Sequence, residues 1–442
     1  MTTTEHADGP PDTRAAGDNK EPLVYPKMWI LFAVLICCFT AWGVAADLTT
    51  PMVAGFKRIF EMNTFQASLV QLAYFGAYFL LAIPAALINQ RFGYKAGLLS
   101  GVLLAAAGAI AFYPASKIMT YEAFLVALFA IAAGCSILET SANPYVMSLG
   151  PESTATRRLN FAQAFNPVGT NIGVFLAATL ILPKLDEPMN MANLSPGQEQ
   201  SIRAGQLGAV MGPYLGLGFV LIAIGLVIAI KKSPPIVEEF ESGDLEGKSP
   251  FRILVSNKRY VFGVVAQFFN VAAQVCTWTY LIQYSQQALN GSLQLGGYLL
   301  QVSLIVFLIT RFIMTWVIGK VRATKVLLVL GGLAVLLCLF AMFSPNVAGV
   351  TAVVAVSFCL SLMFPTIYGV ALQGLGPATK FGAAGLVMAI VGGAIMPLIQ
   401  GAILDATSPA ISFIVPAFCF AVVTGFALFD LKAAPQKMEE KA

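Results

Sequence analysis

Residues 124–149 read FLVALFAIAAGCSILETSANPYVMSL. The length and apolarity are those of a bilayer-crossing helix, since about 20 such residues at roughly 1.5 Å rise cover the hydrocarbon core. Yet the second half carries Glu139, Asn143 and Pro144. A charge at the bilayer centre costs roughly 2.5–3.5 kcal/mol on insertion scales. Such a residue is kept where the helix faces a polar interior and function uses it.

The rest of the chain has the same character. Its 442 residues are 58% hydrophobic and 11% charged, with mean hydropathy +0.78. Soluble proteins carry about 25% charged residues, so much of this surface must face lipid. The net charge of +4 comes without a basic cluster, which argues against a nucleic-acid partner. The one histidine, His6, lies in the polar N-terminal stretch, which excludes a histidine metal site or proton relay within the membrane. The seven cysteines fall in apolar runs without CxxC spacing and read as packing residues. No nucleophile–base pair or metal motif points to an enzyme, and no cofactor is expected.

Apolar windows near 28–49, 66–88, 95–114, 123–148, 159–182, 208–230, 260–284, 296–318, 324–343, 347–373, 381–403 and 411–429 predict twelve spans. Of the 26 Lys and Arg, 20 fall on the side that holds both termini and 5 on the other, with Arg311 inside a span. The positive-inside rule then places both termini in the cytoplasm of a multi-pass plasma-membrane protein. The predicted organisation is a disordered tail (1–26), a six-helix bundle (27–230), a charged linker (231–259), a second six-helix bundle (260–430) and a short tail (431–442). VAADLTT (44–50) resembles VAAQVCT (271–277), and SLGPES (148–153) resembles GLGPAT (374–379). Lys95 and Lys325 open spans three and nine. These matches lie at nearly one offset, so the halves read as a parallel repeat, an architecture of membrane transporters.

Three charges lie deep in the spans: Asp47, Glu139 and Arg311. Glu139 and Asn143 are four apart and share a helix face. Pro144 removes a backbone donor and frees a carbonyl near residue 140. Asn160, Gln163 and Asn166 form a stripe on span five, and Gln267, Asn270, Gln274, Thr277 and Tyr284 another on span seven. Asp47 and Thr50 are three apart on span one. Trp42, Tyr145, Trp278 and Tyr280 accompany them. Interhelical amide bonds explain such stripes one at a time, but a shared cavity explains their concentration on spans one, four, five and seven. Amides, hydroxyls and one or two carboxylates match an uncharged polyhydroxylated solute. A carboxylate in a dry cavity favours its neutral form and regains charge when water enters, as proton coupling requires. Arg311 either snorkels or pairs with a carboxylate.

WGVAADL (42–48), GCSILETSANPYV (134–146), RLNFAQAFNPVG (158–169), AAQVCTWTYLIQY (272–284) and PTIYG (365–369) resemble the L-fucose/proton symporter family of the major facilitator superfamily. The resemblance runs collinearly over about 28–430. It implies an all-α, twelve-helix carrier that imports a monosaccharide with a proton by alternating access. It matches the family's essential glutamate to Glu139 and its span-five amides to Asn160, Gln163 and Asn166. Together with the polar stripes, the candidate proton carriers are Glu139 and Asp47, and the candidate sugar ligands are Asp47, Thr50, Glu139, Asn143, Asn160, Gln163, Asn166, Gln274, Thr277, Tyr280 and Phe364. Structural or gating roles fall to Pro144, Arg311, Arg91 and Lys95. Two positions depart from the family. Its span-one pattern is Asn-Leu-Asn-Asp, and here Thr50 stands at the coupling aspartate while a carboxylate sits one turn earlier, at Asp47. Either Asp47 takes over, or coupling rests on Glu139 alone or is absent. A family tyrosine before the span-ten Pro-Thr is Phe364. The expected partners are a sugar and the bilayer, the expected state a monomer. The alternatives are an uncoupled facilitator or polyol carrier and, more remotely, a transporter-like sensor or channel.

Overall fold

A computed structural model describes residues 21–48, 64–181, 196–230 and 249–433, and every regular element among them is helical. The first bundle contains α1 (Trp29–Leu48), α2 (Thr64–Ile118), α3 (Tyr121–Ser148), α4 (Ala155–Gln163), α5 (Asn166–Leu176) and α6 (Pro196–Ile230). After a short helix α7 (Pro250–Ser256) come α8 (Lys258–Leu289), α9 (Leu293–Val317), α10 (Ala323–Phe343), α11 (Val347–Leu360), α12 (Met363–Leu372), α13 (Thr379–Met388), α14 (Gly392–Ala406) and α15 (Ile414–Ala433). Local chemistry sets many of the ends. Asn257, Ser292 and Asn346 cap α8, α9 and α11 with their side chains, and Asn290 ends α8 in the left-handed region.

Among the described residues, eleven helical runs are long and apolar enough to cross a membrane. One of them, 72–118, covers both the second and third predicted spans. Gly93 (φ 81, ψ 167) breaks its helical path between Arg91 and Lys95, where the sequence places a loop. That conformation suits only glycine without strain. Three other spans are segmented. Span five is α4 and α5, parted at Ala164–Phe165 with Pro167 beginning the second piece. Span ten is α11 and α12, parted at Ser361–Leu362 with Pro365 just beyond. Span eleven is α13 and α14, joined by a tight turn at Ala389–Val391. Each break leaves backbone carbonyls to be satisfied inside the protein rather than by lipid.

Small residues set the closest crossings of the first bundle. A Cβ on Gly134 would lie 2.3 Å from the Ala105 nitrogen, and one on Gly169 would lie 1.9 Å from the Thr40 carbonyl. Thus α2 and α3 touch backbone to backbone, as do α1 and α5, the close approach on which packing in lipid depends. Trp29, Ile30, Phe175, Phe219, Ile230, Val329 and Leu398 are among the large apolar side chains left exposed on the outside. That apolar periphery is what a chain with so few charges requires.

The two bundles meet along α2–α5 of the first and α9, α12, α13 and α14 of the second. Arg157, Lys320, Arg322, Lys325 and Lys380 mark one end of the molecule, called the basic end below. Two predicted boundaries differ there. Residues 23–25 of the N-terminal tail are packed: Val24 is buried, Tyr25 N–H donates to the Leu149 carbonyl, and Arg158 donates to the Leu23 carbonyl. Part of the predicted linker, Pro250–Ser256, is helix.

Candidate functional site: a polar seam between the bundles

Glu139 lies in α3 and is 0% exposed, and neither carboxylate oxygen has a hydrogen-bond partner. Tyr78 of α2, Cys135 of its own helix and Tyr368 of α12 stand within its field. Tyr78 is held by Trp42, whose indole donates to its hydroxyl at 2.6 Å, and Ser136 donates to its carbonyl. The sequence singled out Trp42 but missed Tyr78. The signal was available in Tyr74 and Tyr78, four apart on span two, whose rings pack 5.3 Å apart.

Pro144 cannot donate to the carbonyl four residues back, and the Thr140 carbonyl accepts from Asn89 Nδ2 of α2 at 3.4 Å. Asn89 Oδ1 in turn accepts from Ser141 at 2.9 Å. The broken ladder of α3 is therefore mended by a fully buried amide from the neighbouring helix.

From Asn143 a chain of polar groups leads out of the first bundle. Gln163 Nε2 donates to Asn143 Oδ1 at 2.7 Å, and Arg311 Nη2 of α9 donates to Gln163 Oε1 at 3.3 Å. Arg311 is 5% exposed and stands 5.2 Å from the centre of the Phe307 ring. It therefore does not snorkel to the membrane edge, and among the described residues its partner is an amide rather than a carboxylate. It caps an amide belonging to the other bundle. Asn160 makes a second crossing: its amide donates to Thr366 Oγ1 of α12 at 3.2 Å and to the Thr156 carbonyl at 2.9 Å. A third runs from Gln373 Nε2 to Thr156 Oγ1 at 3.2 Å. Phe165 and Phe312 add an edge-to-face contact with ring centres 5.4 Å apart. All of these contacts lie in the halves of spans four, five, eight and ten that lead to the basic end.

The remaining predicted residues scatter around this seam. Asn166 donates to the Phe39 carbonyl of α1. Thr277 bonds within its own helix, and Tyr280 donates to the Pro397 carbonyl at 2.7 Å. Gln274 is half-buried. Phe364 is half-buried too and stacks on Tyr368. Lys95 donates to the Ala229 carbonyl, and Arg91 lies against Phe92. Asp47 stands one residue from the end of α1 with its side chain outside the described residues, and Thr50 lies outside them altogether. Gln267 and Asn270, read from the stripe on span seven, are buried with both amide atoms unpartnered. Gly263 packs against Ala371, so the antiparallel register of α8 on α12 puts Gln267 at the height of Tyr368. Unmet buried donors and acceptors thus sit on both sides of the seam: Glu139 and Asn143 Nδ2 in the first bundle, Gln267 and Asn270 in the second. Each such group costs roughly 1–3 kcal/mol unless water or a ligand meets it. No group of acids, cysteines and histidine suited to a metal ion occurs among the described residues.

A sequence profile of the Major Facilitator Superfamily matches residues 30–392. The chain is 40% identical over 410 residues to an L-fucose-proton symporter of Haemophilus influenzae, covering 90% of this chain and 95% of that one. It is 35% identical to the L-fucose-proton symporter of Escherichia coli, covering 92% and 94%. It is 33% identical to a glucose/galactose transporter of Brucella abortus, covering 90% and 93%. The crystal structure of the transporter FucP in its outward conformation superposes with a TM-score of 0.84 at 35% identity, covering 91% of this chain and 98% of that one. A helical chain of this span pattern, folded as two bundles about a polar seam, belongs to the L-fucose/proton symporter family of the major facilitator superfamily.

Proposed function

We propose that the protein imports a monosaccharide together with a proton, by alternating access, across the plasma membrane. The observation that carries this is Glu139: a carboxyl sealed from solvent with neither oxygen partnered, one helical turn before Asn143, where the Gln163–Arg311 chain into the other bundle begins. An ionised carboxylate with no counter-ion is costly in such a seam, so the closed seam favours Glu139 carrying its proton. Opening of the seam admits water, and the proton leaves. The relatives are named for L-fucose and for glucose and galactose, all neutral hexoses. Such a solute would meet the unpartnered amides of Asn143, Gln267 and Asn270. Asp47 is the candidate second proton carrier, with Thr50 beside it.

The basic end is read as cytoplasmic, with both termini there. The inter-bundle bonds at that end then hold the cytoplasmic side shut. Asn160 and Gln163 spend their amides on this closure, which makes them gate residues in this conformation, free to meet sugar only when the bundles part. Arg311 is assigned to the same gate. The bundles are assigned to 27–230 and 260–430, and the carrier is taken to work as a monomer.

The test is uptake into proteoliposomes of labelled L-fucose, glucose, galactose, fructose and N-acetylglucosamine under an imposed inward proton gradient. Acceleration of at least one sugar is expected. Acceleration of none refutes symport, and gradient-independent uptake identifies a facilitator instead. Glu139→Gln is expected to abolish concentrative uptake while retaining counterflow exchange, and intact concentrative uptake removes Glu139 from coupling.

A further inference from the structure

Asp430 stands in the last turns of α15, where a charge close to the membrane edge would ordinarily reach water. It is instead 1% exposed. Arg259 Nε of α8 approaches its Oδ1 to 2.6 Å, an ion pair whose N–H is not aimed along the contact. Arg322, at the head of α10, reaches Oδ2 at 3.2 Å, and Thr324 donates to the same oxygen at 2.8 Å. One carboxylate thus ties the basic ends of three helices of the second bundle.

The chain does not stop inside that bundle. Arg259 Nη2 donates to Gln373 Oε1 at 3.0 Å, and Gln373 Nε2 donates to Thr156 Oγ1 of α4 at 3.2 Å. The order matters because a primary amide is polar end to end. A guanidinium is a planar fork with no acceptor, so a neighbour it faces must present an oxygen. With Asp430 holding the fork by the ion pair beside Nε, the Gln373 oxygen turns to Arg259 and its NH2 points at Thr156. Gln373 ends α12 in extended backbone, with Gly374 following at φ +73, so this amide stands at the lip of the seam. It also lines a cavity of about 430 Å³ between the bundles at that end, together with Ser148, Glu152 and Thr379.

We infer that Asp430 is a positioning residue of the transport cycle: through Arg259 and Gln373 it aims the hydrogen bond to Thr156 that holds the cytoplasmic ends of the two bundles together. Neutralising it releases the fork, lets the amide turn and removes the crossing bond. A carboxylate with no access to either the sugar or the coupling proton thereby sets how readily the cytoplasmic side opens. The inference rests on alternating access but not on which solute is carried, or on proton coupling.

The experiment reads conformation directly, without substrate. Spin labels are placed at Glu152→Cys and Lys320→Cys in a Cys37→Ser background, and pulsed dipolar distances are recorded in nanodiscs. The six other cysteines are buried. Asp430→Asn is expected to raise the cytoplasm-open population relative to the closed one roughly three- to tenfold, the scale of one lost hydrogen bond. Thr156→Val and Gln373→Leu are expected to do the same, and Asp430→Asn to add nothing once Thr156 is Val. Arg259→Lys keeps the charge but loses the fork, and it is expected to open the gate to a similar extent. It also serves if Asp430→Asn does not fold. An unchanged distance distribution with only a lowered melting temperature would show that the carboxylate is structural and overturn the inference. Full additivity of Asp430→Asn with Thr156→Val would overturn it equally. Failure of every sugar in the uptake panel leaves this readout untouched.

Discussion

The Asn160–Thr366 pair offers a measurement of how tightly the gate is held. The two side chains belong to different bundles and lie 206 residues apart in the chain, so their contact exists only while the basic ends are together. Thr366→Val keeps the shape of the side chain and deletes its hydroxyl. The change removes the 3.2 Å bond that Thr366 Oγ1 accepts and the weaker 3.4 Å alignment in which it donates to Asn160 Oδ1. Asn160 keeps its 2.9 Å bond to the Thr156 carbonyl, so only part of its amide is orphaned. A neutral hydrogen bond contributes about 0.5–1.5 kcal/mol net, and an orphaned buried partner costs up to roughly 3. We expect about 1–2 kcal/mol, which is roughly a five- to thirtyfold shift toward the state open at the basic end, since about 1.4 kcal/mol is tenfold. The same spin-label pair reads the shift. Thr366→Val introduced into Asn160→Leu must then produce no further opening, because its partner is already gone. A full-sized shift in that background, or no shift in the parent, would refute the reasoning that this pair is a state-specific bond.

Other substitutions test the remaining contacts. Asn89→Leu should lower stability by about 1–3 kcal/mol in thermal unfolding, and by less in Pro144→Ala, where the Thr140 carbonyl regains a helical donor. Equal losses in both backgrounds would mean that the amide does not mend the ladder. Gly169→Leu should separate α1 from α5 and cost at least about 1–3 kcal/mol, because the added carbon meets the Thr40 backbone rather than a side chain that can turn away. Arg158→Leu should destabilise the first bundle by about 3 kcal/mol or more, since this buried guanidinium donates to the carbonyls of Leu23, Val146, Met147 and Gly150. It should also expose the N-terminal stretch to limited proteolysis, and continued protection would contradict the anchoring role.

The sequence made Glu139 and Pro144 conspicuous because both break an apolar run, and composition alone shows a break. It showed that Asn160 and Gln163 share a helix face, because that depends only on helical period. It did not show what they face. Thr366 and Arg311 approach them across 206 and 148 residues of chain, and such pairings arise from packing rather than local pattern. The span-five stripe therefore reads as solute ligands, whereas in this conformation Asn160 and the Gln163 oxygen are engaged by the opposite bundle. Asp430 was passed over because a charge at the end of a span is unremarkable in one dimension. Its burial follows from two arginines on other helices closing over it. The twelve spans were legible almost to their ends, since hydrophobic length reports them directly. The internal breaks at Ser361–Leu362 and Ala389–Val391 carry weaker local signals, a proline after the first and the Gly392–Gly393 pair after the second.

The anchoring of Leu23 by Arg158 has a consequence for biogenesis. The two residues are 135 apart in the chain. At ribosomal elongation rates of about 5–20 residues per second, the arginine follows the leucine by roughly 7–27 s. During that interval the first spans can enter the bilayer, but the segment ahead of them has no counterpart to seat against. Assembly of this face must wait for a later helix, so a nascent chain halted before span five would leave that segment open to proteases and chaperones. The finished carrier conceals it.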